Sequence, residues 1–313
     1  MSKAKIDFNN LLMLAPLAGY SDLPFRGVVK KFGVDITVSE MISSHALKHN
    51  SFKTLKMIEK NPLESPYSVQ ISGNKEEIIK DAVLILNEKE GIDIIDLNCG
   101  CPAPKVSSHG GGSALLKDLN LLVKLIQTIK LNSNKPYTSI KVRLGFDKRI
   151  PLELSNALND SGADFVVVHG RTKCDAYKKD RIDYSSIALM KDKLNIPLIA
   201  NGDIDSYAKA KEVMKITNAN GIMIGRAALK EPWIFYQLKN NISHMPNVVK
   251  RDVVLEHFNS MIRFYGQRGC IMFRKNLHNY AVGESNAVMF RNKVNSIDSI
   301  DEMRSLINDF FNK

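Results

Sequence analysis

The sequence predicts a (β/α)₈ barrel, a TIM barrel, followed by a small C-terminal helical domain. Eight short apolar runs recur in the first 226 of 313 residues, helical patterns lie between them, and no strand-like run follows Trp233. Alternation of strands and helices favours a parallel sheet with crossover helices. Eight such units fit a closed barrel, which takes about 250 residues. We therefore expect a barrel over residues 1–240 and a helical domain over residues 241–313.

The predicted strands are mostly continuous apolar runs, which is typical of parallel strands covered on both faces. They lie at residues 11–18, 36–41, 67–72, 94–98, 139–144, 165–169, 197–201 and 221–225. Helical patterns cover residues 75–88, 113–130, 152–160 and 206–214 in the barrel and 253–265, 271–280 and 300–311 in the tail. Asn74 and Asp205 are the expected helix N-caps. An open doubly wound sheet is the alternative, but no G-x-G-x-x-G follows the first strand.

The composition is that of an ordinary globular protein with a basic surface. Hydrophobic residues make up 44% and charged residues 25%, which excludes a disordered chain, a fibrous repeat and a disulfide-stapled mini-protein. The 44 Lys and Arg against 33 Asp and Glu give a formal charge of +11. This surplus favours an anionic partner such as nucleic acid, although a generally basic proteome gives the same surplus.

The cysteine count and the apolar runs bear on the compartment. Four cysteines are too few for a disulfide framework at this length. No apolar run approaches the roughly 18 residues that are needed to cross a bilayer. We therefore expect a reduced, cytoplasmic, monomeric protein without a membrane span.

Polar side chains are concentrated where the predicted strands end. In a (β/α)₈ barrel these C-terminal strand ends form the rim that carries the chemistry. The rim residues are Glu40, Gln70, Asn98, Cys101, Lys141, Arg143, His169, Arg171, Asn201 and Asp203. Such a set suits an anionic ligand that carries a ring. Gly202 follows the seventh strand, and Gly225 and Arg226 follow the eighth, where barrels often bind phosphate.

The Cys99-x-Cys101 pair does not predict a metal site, because a structural zinc site needs four ligands and no second pair exists. Gly100 and Pro102 bend the chain around Cys101, so this turn is expected to present one thiol at the barrel mouth. A cysteine with an ordinary pKa near 8.5 is mostly the protonated thiol at pH 7 and can act as a general acid or a nucleophile. Cys174 and Cys270 are expected to be buried and inert.

Taken together, these segments resemble the tRNA-dihydrouridine synthases, a family of flavoenzymes, and most closely their bacterial B-type branch. The resemblance runs from Ala15 to about Leu238 and continues weakly through the tail. The combination of an Asn-x-Gly-Cys-Pro turn with His-Gly-Arg-Thr and Asn-Gly-Asp carries it, since any one of these motifs alone is unspecific. The matching segments are residues 15–19, 22, 25–26, 69–71, 96–102, 112–116, 140–145, 168–172, 199–203 and 223–227.

The resemblance implies an FMN-dependent reduction of one uridine in the tRNA D-loop to 5,6-dihydrouridine, with NADPH as the electron donor. Hydride would reach C6 of the uracil, and Cys101 would donate a proton to C5. A neutral thiol suits this proton donation better than a thiolate does.

The resemblance also implies roles for individual residues. The expected FMN contacts are Pro16, Leu17, Ala18, Gln70, Lys141, His169, Asn201, Gly202, Asp203, Gly225 and Arg226. The expected substrate contacts on the barrel are Asn98, Arg143 and Arg171. The helical tail resembles the family's tRNA-recruiting domain, with expected tRNA contacts at Arg274, Lys275, Arg291 and Lys293. No metal is expected.

The sequence departs from the family pattern in three places. Leu17 stands after the first proline, where Met is commoner in the family. Cys99 stands where the family usually has Met or Phe. Residues 173–184 keep Tyr177 but lack the family's Ala-Asp-Trp pattern. The first two departures remove no required polar group, and the third concerns the tRNA contacts of this loop rather than the chemistry.

Two other functions stay open at this point. A different FMN barrel oxidoreductase, similar to dihydroorotate dehydrogenase, would share the phosphate-binding glycines but would not need a basic helical tail. A non-catalytic tRNA-binding protein on an inactive barrel would not hold flavin. The salt dependence of tRNA binding distinguishes the first alternative from a tRNA-dihydrouridine synthase. The yellow colour of bound flavin distinguishes the second.

Overall fold

Nine parallel strands, counted within the described residues 5–49, 51–244 and 250–312, form one curved sheet in the computed structural model. They are β1 (Leu11–Leu14), β2 (Thr37–Val38), β3 (Ile42–Ser43), β4 (Tyr67–Ser72), β5 (Ile94–Cys99), β6 (Tyr137–Arg143), β7 (Phe165–His169), β8 (Leu198–Asn201) and β9 (Gly221–Ile224). The sheet order is β1-β9-β8-β7-β6-β5-β4-β2, and β3 also pairs with β4. A parallel bridge between Met13 and Ile36 joins the two ends of this order. The prediction of a (β/α)₈ barrel is confirmed, with β2 and β3 sharing one of eight strand positions.

Helices cover the outside of the barrel and form the whole tail. Those of the barrel are α1 (Leu23–Lys30), α2 (Ser44–Lys48), α3 (Phe52–Met57), α4 (Glu76–Asn87), α5 (Pro104–Ser107), α6 (Leu119–Asn132), α7 (Pro151–Asn159), α8 (Tyr184–Lys193), α9 (Tyr207–Thr217), α10 (Arg226–Lys230) and α11 (Ile234–Lys239). Short 3₁₀ helices lie at Gly112–Lys117 and Lys179–Arg181. The tail contains α12 (Lys250–Tyr265), α13 (Arg268–Tyr280), α14 (Ala287–Ser296) and α15 (Ile300–Phe311).

The second predicted strand, residues 36–41, is divided into β2 and β3 because side chains replace part of the backbone ladder. The Ser39 hydroxyl accepts the backbone N–H of Gln70 at 3.1 Å. The Glu40 carboxylate accepts the backbone N–H of Gly19 in the loop after β1. The interruption therefore ties the second strand position to the first loop of the rim.

Both predicted N-caps are wrong by one residue, since the observed N-caps are Lys75 and Ser206. Helix α4 begins at Glu76, and the Asn74 amide instead donates to the His109 carbonyl at 2.9 Å. Ser206 rather than Asp205 caps α9, since its hydroxyl accepts the Lys209 N–H at 3.2 Å.

One predicted helix has a wrong boundary, and one helix of the tail was not predicted. The single helix expected at residues 113–130 is a 3₁₀ turn followed by α6, because Asp118 caps a new helix through the Leu121 N–H at 3.0 Å. Helix α14 was not predicted, since it buries only Phe290 and Val294 while its neighbouring apolar side chains Val288 and Met289 are exposed, which blurs the periodicity.

Because side chains alternate between the two faces of each strand, the barrel has one apolar cluster inside the ring of strands and another between the strands and the helices. Inside the ring, Leu11, Met13, Ile94, Phe165 and Ile199 belong to one cluster. The residues between them point outward and pack against the surrounding helices in a larger cluster. Because the strands are short, the next inward positions reach the C-terminal rim, and those positions are polar.

The tail has its own apolar cluster, which includes Val254, Phe273, Phe290 and Ile307. It also contacts the barrel: the rings of Phe25 in α1 and His257 in α12 lie 5.4 Å apart. The expected division into residues 1–240 and 241–313 stays a prediction, and residues 245–249, close to this boundary, lie outside the described residues.

A buried ion pair holds the first rim loop. Arg26 donates from Nε to Glu64 at 2.7 Å and from Nη1 to the Ser21 carbonyl at 2.8 Å, and both side chains of the pair are fully buried. Glu64 also accepts the Thr37 hydroxyl at 2.5 Å. Arg26 and Thr37 thus both donate to the Glu64 carboxylate, so its removal would leave buried polar groups without a hydrogen-bond partner.

Replacing Glu64 by alanine leaves the Arg26 guanidinium as an uncompensated buried charge, so we expect the free energy of unfolding to fall by about 3–5 kcal/mol. Glu59→Ala removes an exposed carboxylate from the same segment and is expected to leave that free energy nearly unchanged. Urea unfolding followed by circular dichroism measures both variants. Equal losses in the two variants would contradict this role of the pair.

Candidate active site

The strand register arranges the inward polar side chains in layers. Across β4, β5 and β6, Gln70 is paired with Asp96, and Asp96 with Ser139. In-register neighbours on parallel strands point to the same side of the sheet. Asp96 therefore receives the Ser139 hydroxyl at 2.6 Å and the Gln70 amide N–H at 2.7 Å inside the barrel.

The next layer lies one inward position closer to the rim. Asn98 is paired with Lys141, and the Lys141 ammonium donates to the Asn201 amide oxygen at 2.9 Å. Asn201 in turn donates to the Met223 carbonyl at 2.8 Å, which fixes the orientation of its amide. Burial and the nearby Arg143 lower the pKa of Lys141 to about 8. Lys141 is thus a cation at neutral pH that releases its proton more easily than a surface lysine.

The Cys101 turn is held from three sides. The Asn98 amide oxygen accepts the backbone N–H of Cys101 at 3.0 Å and of Gly100 at 3.3 Å. Arg143 donates from Nε to the Gly100 carbonyl at 2.8 Å, and the Ser113 N–H donates to the Cys101 carbonyl at 3.1 Å. The Cys101 side chain is partly exposed at the rim. The sequence-based placement of one thiol at the barrel mouth agrees with this geometry.

Cys99 lies on the opposite face of its strand. Its side chain is fully buried in the cluster between strands and helices. Burial, with the Asp96 carboxylate as a second cause, raises the pKa of this thiol well above its usual value. Cys270 is buried as expected, but the prediction for Cys174 is wrong, because it lies exposed on the loop after β7.

Arg143 and Arg171, which are expected to contact the substrate, are 1% and 0% exposed. Arg143 donates from Nη1 to the carbonyls of Thr172 and Ala176 at 2.8 and 2.9 Å. Arg171 donates from Nε to the Lys178 carbonyl at 2.9 Å. Each guanidinium therefore anchors the loop after β7, and the expected substrate contact stays a prediction.

Asp203 links the last two rim loops. It forms ion pairs with the buried Arg171 and, at 2.7 Å, with the largely exposed Arg226. Burial alone would raise the pKa of Asp203, but the two guanidinium groups outweigh it and hold this pKa below its usual value. The carboxylate thus stays ionised and keeps the Arg226 side chain at the rim.

His169 is a neutral imidazole in this cationic setting. Burial, followed by the charges of Lys141, Arg143, Arg171 and Arg226, lowers its pKa well below the usual value. It therefore offers one ring N–H and one acceptor nitrogen at neutral pH rather than a positive charge.

Gly202 lies against the His169 ring with a φ of +124°, and a Cβ there would fall 2.8 Å from His169 Cδ2 and 2.5 Å from Ile182 Cδ1. A glycine is therefore needed for the backbone to pass this close to the ring.

The first rim loop supplies an apolar surface. Pro16 and Leu17 are partly exposed and Ala18 is exposed. The Ser21 hydroxyl accepts the Leu17 N–H at 2.8 Å, so the loop is held in a tight turn. The structure thus brings a partly exposed apolar floor next to the cationic part of the rim.

The four tail residues do not form one cluster. Arg274 and Arg291 also hold the tail together: Arg274 donates to the Ile297 carbonyl at 2.9 Å and Arg291 to the His278 carbonyl at 3.3 Å. Lys275 places its ammonium 5.0 Å from the centre of the Tyr20 ring in the first rim loop. Lys293 is exposed. Among these residues, Lys275 alone reaches the barrel rim.

Sequence reasoning assigned no role to Asp96, Glu40 or Tyr177. The Tyr177 side chain is 55% exposed, with the Arg143 and Arg226 guanidinium carbons 5.4 and 5.3 Å from its ring centre. Asp96 could have been found as the one carboxylate in an apolar strand run. Glu40 was expected on the rim, but its contact with the Gly19 N–H, like the position of Tyr177 beside two guanidinium groups, depends on how distant loops meet.

The described residues contain neither a metal-binding cluster nor a membrane-spanning helix. No group of three or more His, Cys, Asp or Glu side chains there could hold a metal ion. None of the described helices combines the length and the apolar character that a membrane crossing requires.

A (β/α)₈ barrel with a partly exposed thiol and several cationic side chains on its C-terminal rim has the architecture of a barrel enzyme. A family model described as dihydrouridine synthase (Dus) matches residues 13–313. A Helicobacter pylori protein named "Probable tRNA-dihydrouridine synthase" is 61% identical over 98% of this chain and 94% of its own length. "tRNA-dihydrouridine synthase B" of Pseudomonas syringae pv. tomato is 36% identical, covering 97% and 92%. The chain belongs to the dihydrouridine synthase family of oxidoreductases.

Solved structures agree on the fold. The structure of TcOYE with pHBA matches with a TM-score of 0.57 at 8% identity, over 82% of this chain and 94% of that chain. At this identity the similarity concerns the barrel alone. The family resemblance and the enzyme class expected from the sequence are confirmed.

The burial pattern predicts which cysteines react. In the folded protein, iodoacetamide is expected to modify Cys101 and Cys174 and to spare Cys99 and Cys270, because alkylation needs access to the thiolate. Mass spectrometry of peptides after timed labelling measures this. All four should react in urea, which serves as the control. Labelling of Cys99 ahead of Cys101 in folded protein would show that the turn is placed incorrectly.

Proposed function

We propose that this protein reduces one uridine in the D-loop of tRNA to 5,6-dihydrouridine, with FMN as its bound cofactor and NADPH as the electron donor. The observation that supports this most is the position of Cys101, a partly exposed thiol on a turn fixed by Asn98 and Arg143 at the rim of a barrel of this family. Cytoplasmic location and action as a monomer are part of the proposal.

The rim residues fit FMN by the chemistry of their donors. Pro16, Leu17 and Ala18 offer apolar surface for a flat ring, and Lys141 offers a cationic donor beside it. Gly202 leaves the space next to His169 without a side chain. We propose that these residues, with Gln70 and Asn201, hold the ring system.

The phosphate end is expected at the last two loops. Arg226 has a largely exposed guanidinium kept in place by Asp203, and Gly225 precedes it without a side chain. Gly202, Asp203, Gly225 and Arg226 are therefore the proposed ribityl and phosphate contacts.

A bound FMN, once reduced by NADPH, would supply the hydride for C6 of the uracil. Cys101 holds the proton for C5 on its sulfur, and Asn98 and Arg143 keep the turn of that thiol in place. Transfer of this proton leaves a thiolate, which the positive charges of Lys141 and Arg143 would stabilise by coulombic attraction. The thiolate then regains a proton from solvent.

The substrate base must leave its stack to reach this rim, so we propose that the target uridine is flipped outward. Asn98, Arg143 and Arg171 are the proposed barrel contacts on the substrate side. Arg274, Lys275, Arg291 and Lys293 would bind the phosphate backbone, and the contact of Lys275 with Tyr20 brings this one cation next to the rim.

Replacing Cys101 by alanine removes the proton donor, and we expect dihydrouridine formation to fall about 10²- to 10⁴-fold, the usual contribution of a general acid. Flavin binding and oxidation of NADPH should persist. The exposed Cys174→Ala variant is the matched control and should keep the wild-type rate. Dihydrouridine is quantified by mass spectrometry of nucleosides from unmodified tRNA after incubation. Equal product formation by Cys101→Ala and Cys174→Ala would refute the proton-donor assignment.

Replacing Lys275 and Lys293 together by alanine is expected to weaken tRNA binding about tenfold and to reduce its salt dependence, because two phosphate contacts are lost. These two lysines are chosen because Arg274 and Arg291 also stabilise the tail. Flavin content should stay at the wild-type level.

The matched control replaces Lys193 and Lys215, exposed cations at the C-terminal ends of α8 and α9 and so at the opposite end of the barrel. Filter binding at several salt concentrations compares the two double variants. If both lose the same affinity, the tail has no specific part in recruiting tRNA.

A further inference from the structure

We propose that Asp96 is a positioning residue, which sets the direction of a hydrogen-bond chain that ends at the Cys101 turn. The role of that chain in the reaction rests on the proposed function, while its effect on the Cys101 turn can be measured without any turnover.

The chain runs through four residues on two strands and a turn. The Asp96 carboxylate accepts from Gln70 Nε2 at 2.7 Å, Gln70 Oε1 accepts from Asn98 Nδ2 at 2.7 Å, and Asn98 Oδ1 accepts from the Cys101 N–H at 3.0 Å. Gln70 is 1%, Asp96 4% and Asn98 6% exposed. Because these groups are buried, water cannot easily replace a missing partner.

The two ends of the chain fix its direction. An ionised carboxylate can only accept hydrogen bonds, and a backbone N–H can only donate. The Gln70 amide must therefore turn its NH₂ group to Asp96, which leaves its oxygen for Asn98. Asn98 must then donate to Gln70, and its oxygen is left for the N–H of Cys101. An amide in either middle position could otherwise adopt the opposite orientation.

The surroundings of Asp96 keep it an acceptor near neutral pH. Burial raises its pKa to about 6, while hydrogen bonds from Ser139 and Gln70 and the charge of Lys141 act in the opposite direction. Ser139 donates to the second carboxylate oxygen at 2.6 Å. Both oxygens of Asp96 are thus occupied by donors from neighbouring strands.

Asp96→Asn keeps the size of the side chain and removes this constraint. An asparagine at this position can donate to Gln70, so both middle amides can reverse. Reversal presents the Asn98 NH₂ group to the Cys101 N–H, donor against donor, and the turn loses its acceptor. The variant is therefore expected to loosen the turn rather than the barrel.

The test measures alkylation of Cys101 relative to Cys174, an exposed thiol in the same protein that serves as an internal reference. The Asp96→Asn variant is labelled with iodoacetamide without added cofactor or tRNA. We expect this ratio to rise about fivefold, which corresponds to the loss of one hydrogen bond. Hydrogen exchange of the peptide that contains Cys101 should accelerate in parallel.

Asp93→Asn is the matched control. Asp93 precedes the same strand and accepts the Tyr67 N–H at 2.9 Å, at the end of the barrel far from Cys101. This variant should leave the ratio unchanged. If Asp96→Asn does not fold, Gln70→Met interrupts the same series of hydrogen bonds with a neutral residue of similar size. This variant should raise the ratio likewise.

The outcomes separate the two proposals. A wild-type ratio in folded Asp96→Asn, or an equal rise in Asp93→Asn, would overturn the positioning role even if the enzyme forms dihydrouridine. A raised ratio confined to Asp96→Asn supports the positioning role. If wild-type protein then forms no dihydrouridine with flavin bound, the proposed function fails and the positioning role of Asp96 stands.

Discussion

The register between neighbouring parallel strands is the constraint on which the site depends. Side chains alternate between the two faces of a strand, so a slip of one residue in β5 would move Asp96 and Asn98 to the helix-facing side and bring Cys99 inward. The helix-facing side of β5 is apolar, with Ile95, Leu97 and Cys99. A slip would be unfavourable because it would bury Asp96 and Asn98 against the helices. The same burial that stabilises the barrel thus determines which cysteine reaches the rim.

A polar layer inside a barrel is stable only if its members satisfy one another. Here Ser139 and Gln70 donate to Asp96, Asn98 donates to Gln70, and Lys141 donates to Asn201. The four cations of the rim are only partly balanced by Asp203, which leaves an excess of positive charge. Burial and these cations keep the His169 ring neutral. This excess fits a phosphate-bearing ligand, and in the proposed function the neutral thiol at its edge is the proton source.

Much of this arrangement could be predicted from the sequence, because strand ends and turn residues are local signals. The apolar runs gave the barrel, and the bend at Gly100 and Pro102 separated Cys101 from Cys99. Contacts between distant segments could not be predicted: the division of the second strand depends on Ser39 and Glu40 contacting other loops. The exposure of Cys174 and the burial of Arg143 likewise depend on how the loop after β7 folds over the rim. The proposed role of Asp96 could be inferred only from the orientations of the hydrogen-bonded Asp96, Gln70 and Asn98 side chains.

The most direct test of the central claim is nucleoside analysis of unmodified tRNA incubated with the flavin-loaded wild-type protein and NADPH. Conversion of a single D-loop uridine to dihydrouridine, dependent on NADPH, is the result that this structure predicts. A flavin-loaded protein with an intact Cys101 that oxidises NADPH yet leaves every uridine in the tRNA unreduced would contradict it.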